Sequence, residues 1–133
     1  MPKISLYDRA VGDYTQGKHA LASAHVDDVM CDMAGYHLQQ SVEKLLKYQI
    51  ELQGDQFPYT HNISQLLDKI TTPVPDWIID NREKLTQYES LTRYSSVKVA
   101  ALIDLKQMFT QLEKYLSQIK PPAEHNPQCT PKL

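Results

Sequence analysis

The sequence predicts an all-α protein, and three observations lead to that class. Apolar residues recur at three- and four-residue intervals through most of the chain, which is the period of an amphipathic helix. No segment alternates apolar and polar residues between hairpin turns, as a half-buried strand would. Gly54, Pro58 and Pro73 fall between the periodic segments, where they would end helices. With 133 residues, the chain fits one domain that can fold without disulfides.

Composition and charge exclude several classes of protein. A net charge of −2 argues against a broad binding surface for duplex nucleic acid or an anionic membrane. No apolar run approaches the roughly 20 residues that span a bilayer, and the N-terminus lacks the apolar core of a signal peptide. We therefore expect a cytoplasmic protein with no membrane contact.

Cysteine and histidine spacing predicts neither a disulfide nor a metal site. Cys31 and Cys129 form no disulfide framework, and a disulfide is rare in the cytoplasm. His25, Cys31 and His37 are each six residues apart, which scatters them around a helix. We expect no metal ion and no cofactor.

The first two helices are predicted to form an antiparallel hairpin. Helix one extends from about Leu6 to Ala24, with a connector from position 25 to 31. Asp32 is the expected N-cap of helix two, which runs to about Gln53. Gly54 is well placed to end it. The apolar residues expected on the buried side of helix one are Leu6, Ala10, Tyr14, Leu21 and Ala24.

Three further helices are predicted after the loop at Pro58. A short third helix spans about Asn62 to Ile70, with Asn62 and Gln65 in capping-box spacing. Asp76 is expected to cap helix four, and a serine at 95 or 96 to cap helix five, from Val97 to about Ile119. The buried residues expected here are Trp77, Ile78, Leu85, Tyr88 and Leu91 on helix four, and Ala101, Leu105, Met108, Leu112, Tyr115, Leu116 and Ile119 on helix five. Residues 1–120 form the predicted domain, and the proline-rich residues 121–133 a disordered tail.

Helix two has two unlike sides. At about 100° per residue, the core side carries Leu38, Val42, Leu45, Leu46 and Gln49, and roughly the opposite side carries Tyr36, Gln40, Glu43, Lys44 and Lys47. The second set is either a solvated face with a Glu43–Lys47 pair, or a groove for a nucleotide. In a groove the lysines would meet phosphate, the amide and carboxylate a base edge or ribose, and Tyr36 would stack.

Three residues outside helix two are further candidates. His61 lies at a helix start, where it either caps or packs, or helps bind an anion. Arg93 and Tyr94 lie at the break between helices four and five. Arg93 either neutralises the carbonyls at the end of helix four or contacts phosphate through its guanidinium.

The order of these segments resembles the HEPN domain family. The resemblance is carried by AGYHLQQSVEKLLKYQIELQG, then FPYTHNISQLL, then YESLTRY before a last long helix, and it extends from about Leu6 to Ile119. It implies an up-and-down four-helix bundle with an additional short helix, usually a homodimer. It also implies a minimal nucleotidyltransferase partner in a toxin–antitoxin-like pair, as in many prokaryotic members.

The chain departs from the ribonuclease motif of that family, an arginine followed four to six residues later by a histidine. The windows after Arg9, Arg82 and Arg93 are residues 14–16, 87–89 and 98–100, and none contains a histidine. The motif needs an imidazole for proton transfer. We therefore predict a HEPN protein that binds a nucleotide, RNA or a nucleotidyltransferase, without ribonuclease activity of its own. The alternative is a ribonuclease toxin with a rearranged site, such as His61 with Arg93.

Overall fold

The computed structural model describes residues 4–92 and 94–122, and these residues contain six helices. They are α1 (Leu6–Ser23), α2 (Asp28–Leu52), α3 (Ile63–Leu67), α4 (Asp76–Asp80), α5 (Arg82–Thr92) and α6 (Leu102–Gln118). These described residues contain no strand, which confirms the all-α class. Of the predicted tail, residues 123–133 lie outside the described residues, as does Arg93.

The central helix is α2, which contacts α1, α3, α5 and α6. Most of its circumference is therefore buried, including the whole predicted core side. It ends as predicted, because Gly54 adopts φ 90°, a left-handed conformation that glycine reaches without strain. None of the helices among the described residues combines the length and apolarity needed to cross a bilayer.

The N-terminus of α2 lies five residues earlier than predicted, since Asp27 rather than Asp32 is its N-cap. The Asp27 carboxylate accepts hydrogen bonds from the backbone N–H groups of Val29, at 3.0 Å, and Met30, at 3.2 Å. Asp32 lies one turn inside the helix. Its Oδ1 accepts from the N–H groups of Val99, at 3.0 Å, and Ala100, at 2.7 Å.

The last helix begins at Leu102 rather than Val97, so its predicted start was wrong. Asp32 binds the backbone ahead of α6, and the Cys31 thiol donates to the Ala100 carbonyl at 3.4 Å. These contacts hold residues 97–101 out of a helix. Ala101 occupies the N-cap position without a side-chain bond. Neither serine caps α6, because Ser95 Oγ accepts from Val97 N, at 3.1 Å, within a turn.

The predicted third helix is correct in its start and too long at its end. Asn62 Oδ1 accepts from Gln65 N at 3.2 Å, as the capping-box spacing predicts. The predicted fourth helix is divided into α4 and α5 at Asn81, whose side-chain amide donates to the Trp77 carbonyl at 2.6 Å. Asp76 is the first residue of α4 and Pro75 its N-cap, so Asp76 does not cap it.

The core lies where α1, α2, α5 and α6 meet, with α3 and α4 closing one side. Tyr88, predicted as core, is buried, whereas Leu91 and Ala101 are exposed, contrary to the prediction. The largest fully buried side chains are Tyr88, Phe109, Leu38, Leu45, Leu46, Ile50, Ile63, Leu66, Ile78, Leu85, Leu105 and Leu112.

Two glycines of α1 make a matched test of how closely α1 and α6 pack. A Cβ at Gly17 would lie 2.5 Å from Phe109 Cζ and 3.3 Å from His37 Cβ, whereas one at Gly12 meets nothing within 4 Å. We expect Gly17→Ala to lower the free energy of unfolding by about 1–3 kcal/mol, because the buried Phe109 ring must move.

Gly12→Ala should raise the free energy of unfolding by about 0.5–1 kcal/mol, because alanine favours the helix and no atom obstructs it. Urea unfolding followed by circular dichroism measures both variants. Equal effects at the two positions would show that α1 and α6 do not approach closely at Gly17.

Candidate functional site

The polar residues predicted on the exposed side of α2 form a largely buried network. The polar network comprises Asp13, His37, Gln39, Gln40, Glu43, Lys44, Lys47 and His61. The exposed fraction of the side chain is 4% for Glu43, 13% for Lys47 and 23% for Lys44, whereas His61 is 58% exposed. Glu43 and Lys47 therefore take part in the packing of the monomer although the sequence places them opposite the core side, because α1 and the segment before α3 cover both flanks of α2.

Glu43 is the centre of one half of the network. Its Oε2 pairs with Lys47 Nζ at 3.0 Å, and its Oε1 with His61 Nδ1 at 2.9 Å. Gln39 Nε2 donates to the same Oε1 at 3.1 Å and to the His61 carbonyl at 3.2 Å. The carboxylate therefore joins α2 to the segment before α3. The Glu43–Lys47 pair is the one the sequence predicted, but in a buried setting.

Asp13 on α1 is the centre of the other half. Its Oδ1 lies 3.0 Å from His37 Nδ1, and its Oδ2 pairs with Lys44 Nζ. Burial opposes ionisation of Asp13, but the hydrogen bonds and charges of His37 and Lys44 outweigh burial and hold the pKa of the carboxyl below its ordinary value. Gln40 Nε2 donates to Gln39 Oε1 at 2.7 Å, and Gln40 Oε1 accepts from Lys44 Nζ at 3.5 Å, so Gln40 connects the two halves.

Both lysines of the network are neutralised by carboxylates of the same chain. Lys44 pairs with Asp13 and Lys47 with Glu43, and the Lys47 ammonium also lies 5.2 Å from the centre of the Phe57 ring. A phosphate could bind either lysine only by displacing a carboxylate from a buried pair, which is costly. The geometry therefore does not favour a nucleotide at these lysines.

The outer face of α2 is defined here as Val29, Met33, Tyr36, Gln40 and Lys44. Its first two residues are exposed, and the other three are partly buried. These residues are spaced by four, three, four and four, which lines them up along one side of a helix. The exposed fraction is 70% for Val29 and 43% for Met33. An open groove of about 680 Å³ lies beside them, with Thr92, Ser95, Ser96, Val97 and Lys98 on its other wall.

The structure divides the predicted site residues into two places. It brings Gln40, Glu43, Lys44, Lys47 and His61 together in the polar network. Tyr36 instead lines the groove, and Tyr94 is exposed just beyond α5. Arg93 is outside the described residues, so the structure does not test its pairing with His61.

Sequence reasoning missed Asp13, His37 and Gln39. Asp13 stands in line with the buried residues Ala10, Gly17 and Ala20, at helical spacing. A carboxylate in such a line indicates a buried partner, and this signal could have identified it. His37 and Gln39 are sequence neighbours of the polar residues predicted on one side of helix two, and they carry no comparable signal. Within residues 4–92 and 94–122, no three His, Cys, Asp or Glu side chains are arranged to hold a metal ion.

Comparison with known proteins identifies the family through the whole fold. No curated protein and no solved structure matches the chain. The family model described as HEPN domain matches residues 6–121, from the start of α1 to beyond the end of α6. A match that covers all six helices confirms the resemblance of the sequence motifs, and the chain belongs to the HEPN domain family.

Proposed function

We propose that this HEPN domain acts by binding a protein partner, a minimal nucleotidyltransferase, as half of a toxin–antitoxin-like pair, and that it has no ribonuclease activity of its own. The observation that supports this function is the outer face of α2, with its exposed apolar residues Val29 and Met33. The exposed Val97 stands on the opposite wall of the groove. Clustered apolar side chains at an open groove favour a macromolecular contact.

The spacing on the outer face suits a partner helix. Val29, Met33 and Tyr36 repeat at four- and three-residue intervals, the pattern by which one helix packs into the groove of another. Burying apolar surface contributes about 25 cal/mol per Å². The apolar N-terminal half of this face could therefore supply affinity, while Gln40 and Lys44 at the other end supply a polar rim.

The charges around the groove support a protein rather than a nucleotide. Asp28 and Asp32 line it together with Lys98, which lies 3.5 Å from Asp28 Oδ1. Among the described residues, the lining thus carries two carboxylates and one ammonium group, and Asp28 already pairs with Lys98. This mixed set of charges suits a partner that presents apolar side chains and mixed charges.

The test compares how tightly the wild type and the Met33→Glu variant bind a nucleotidyltransferase encoded beside this chain. A charge in the centre of the face should weaken binding by about tenfold or more, which corresponds to about 1.4 kcal/mol. Leu52→Glu is the matched control, because Leu52 lies at the C-terminal end of the same helix and is 62% exposed. Unchanged binding by Met33→Glu, or equal loss in both variants, would contradict the proposal.

If the protein forms the predicted homodimer, the two copies meet either at the outer face of α2 or at another surface. Light scattering over a dilution series measures the mass of the wild type and of Met33→Glu without the partner. A dimer in both samples places self-association elsewhere on the molecule. If Met33→Glu becomes monomeric but still binds the nucleotidyltransferase, the outer face joins two copies and the proposed role is wrong.

A ribonuclease with a rearranged site is the second candidate, and the His61–Glu43 pair is the observation in its favour. A carboxylate bound to Nδ1 fixes the orientation of an imidazole, as in proton-transferring pairs. Incubation of purified protein with single-stranded RNA tests this function. Cleavage that disappears in His61→Ala would support the ribonuclease, whereas intact RNA supports a binding role alone.

A further inference from the structure

A second groove, of about 480 Å³, lies between α1 and α6, away from the outer face of α2. Its basic side chains are Lys18 of α1 and Lys106 of α6, and the imidazole of His25 follows the end of α1. None of the described residues that line it is acidic. The groove therefore has a positive character that the nearly neutral composition of the chain does not reveal.

The two lysines of this groove differ from those of the polar network in having no ion pair among the described residues. Lys44, Lys47, Lys84 and Lys98 each contact a carboxylate within the chain. No such contact occurs for Lys18 or Lys106 within residues 4–92 and 94–122. Their charges are thus available to a ligand without loss of an internal pair.

On α6, the carboxylates nearest in sequence to Lys106 and Phe109 interact with residues outside the groove. Asp104 pairs with Lys84 at 3.0 Å. Glu113, one turn after Phe109, interacts with Tyr14, whose pKa is raised by burial and then by this carboxylate. Neither residue lines the groove. An anion in the groove would therefore meet cations rather than acids.

Apolar side chains form the floor between the basic residues. α1 and α6 approach closely at Gly17 and Phe109, and the half-buried Leu21 and Leu102 continue the floor toward His25. The groove thus combines cations at its rim with apolar surface between them. This combination fits the alternation of phosphate with ribose and base along a nucleic acid strand.

We propose that the α1–α6 groove binds the phosphodiester backbone of single-stranded nucleic acid, with Lys18 and Lys106 contacting phosphates and His25 donating a hydrogen bond. A single strand fits better than a duplex, because two cations in a short groove on a chain of net charge −2 make a small electrostatic footprint. The inference is independent of the proposed protein partner, which binds the outer face of α2.

The test is fluorescence anisotropy with a labelled uridine dodecamer and a labelled thymidine dodecamer over a range of salt concentrations. For a single strand, each neutralised phosphate contributes about 0.7 to the slope of log K against log salt. Lys18→Gln with Lys106→Gln should therefore reduce that slope by about 1.4. The wild type then loses about sevenfold more affinity than the variant between roughly 50 and 200 mM salt.

Lys69→Gln with Lys120→Gln is the matched control, since both residues are exposed and the change in net charge is the same. The control should keep the wild-type slope. Equal slopes for wild type and the groove variant, an equal loss in the control, or no binding of either oligonucleotide by the wild type would overturn the proposal. Tighter binding of the uridine oligomer would add ribose contacts, and equal binding would limit recognition to phosphate; both support the site.

Discussion

Glu43→Ala should lower the free energy of unfolding by about 3–5 kcal/mol, the effect expected when one partner of a buried ion pair is removed. Without the carboxylate, the Lys47 ammonium stays in a largely buried position with no opposite charge. The Gln39 amide and the His61 imidazole also lose an acceptor at 3.1 and 2.9 Å. Each of these polar groups then has to be rehydrated or left unsatisfied.

Urea unfolding of Glu43→Ala and Glu51→Ala measures this effect with a control on the same helix. Glu51 lies two turns after Glu43, is exposed and has no ion pair among the described residues. Its replacement should change the free energy of unfolding by less than about 0.5 kcal/mol. If Glu43→Ala behaved like Glu51→Ala, the polar network would be a solvated face, which was one of the two interpretations open from the sequence.

The two sides predicted for α2 show how far the helical period of apolar residues can predict which residues are buried. The 3.6-residue period correctly placed Leu38, Val42 and Leu45 in the core, and Gly54 ended the helix as predicted. The period divides a helix into a core side and its opposite, but α2 is central and has neighbours on several sides. Glu43 is therefore buried against the segment before α3, although it lies away from Leu38 on the helical wheel.

The candidate site was only partly predictable, because its geometry depends on contacts between distant residues. The sequence grouped Tyr36, Gln40, Glu43, Lys44 and Lys47 on one side of the helix. The last four contribute to the polar network, whereas Tyr36 lines the groove. The sequence could not indicate that Asp13 pairs with Lys44, 31 residues away. Similarly, a local capping rule assigned Asp32 to its own helix, whereas its carboxylate binds backbone groups 67 and 68 residues later.

Asp32→Ala should lower the free energy of unfolding by about 3 kcal/mol, since two backbone donors lose a charged acceptor and each such hydrogen bond contributes about 1.5–3 kcal/mol. The Ala100 N–H lies 2.7 Å from Asp32 Oδ1, and Ala100 is almost fully buried, so water cannot easily replace the carboxylate. Asp28→Ala is the control, because Asp28 is exposed and makes only a 3.5 Å surface pair with Lys98. That change should cost less than about 1 kcal/mol.

Asp32→Ala should also weaken binding of the proposed protein partner. Asp32 holds the segment that contains Val97 and Lys98, and these two residues form one wall of the groove. Faster hydrogen exchange at the Val99 and Ala100 amides would show that this wall has been released from α2. Asp32→Ala should then bind the nucleotidyltransferase less tightly even at temperatures where it remains folded. A variant that loses stability while its two amides stay protected would mean that other contacts position the wall, and Asp32 would be important for stability alone.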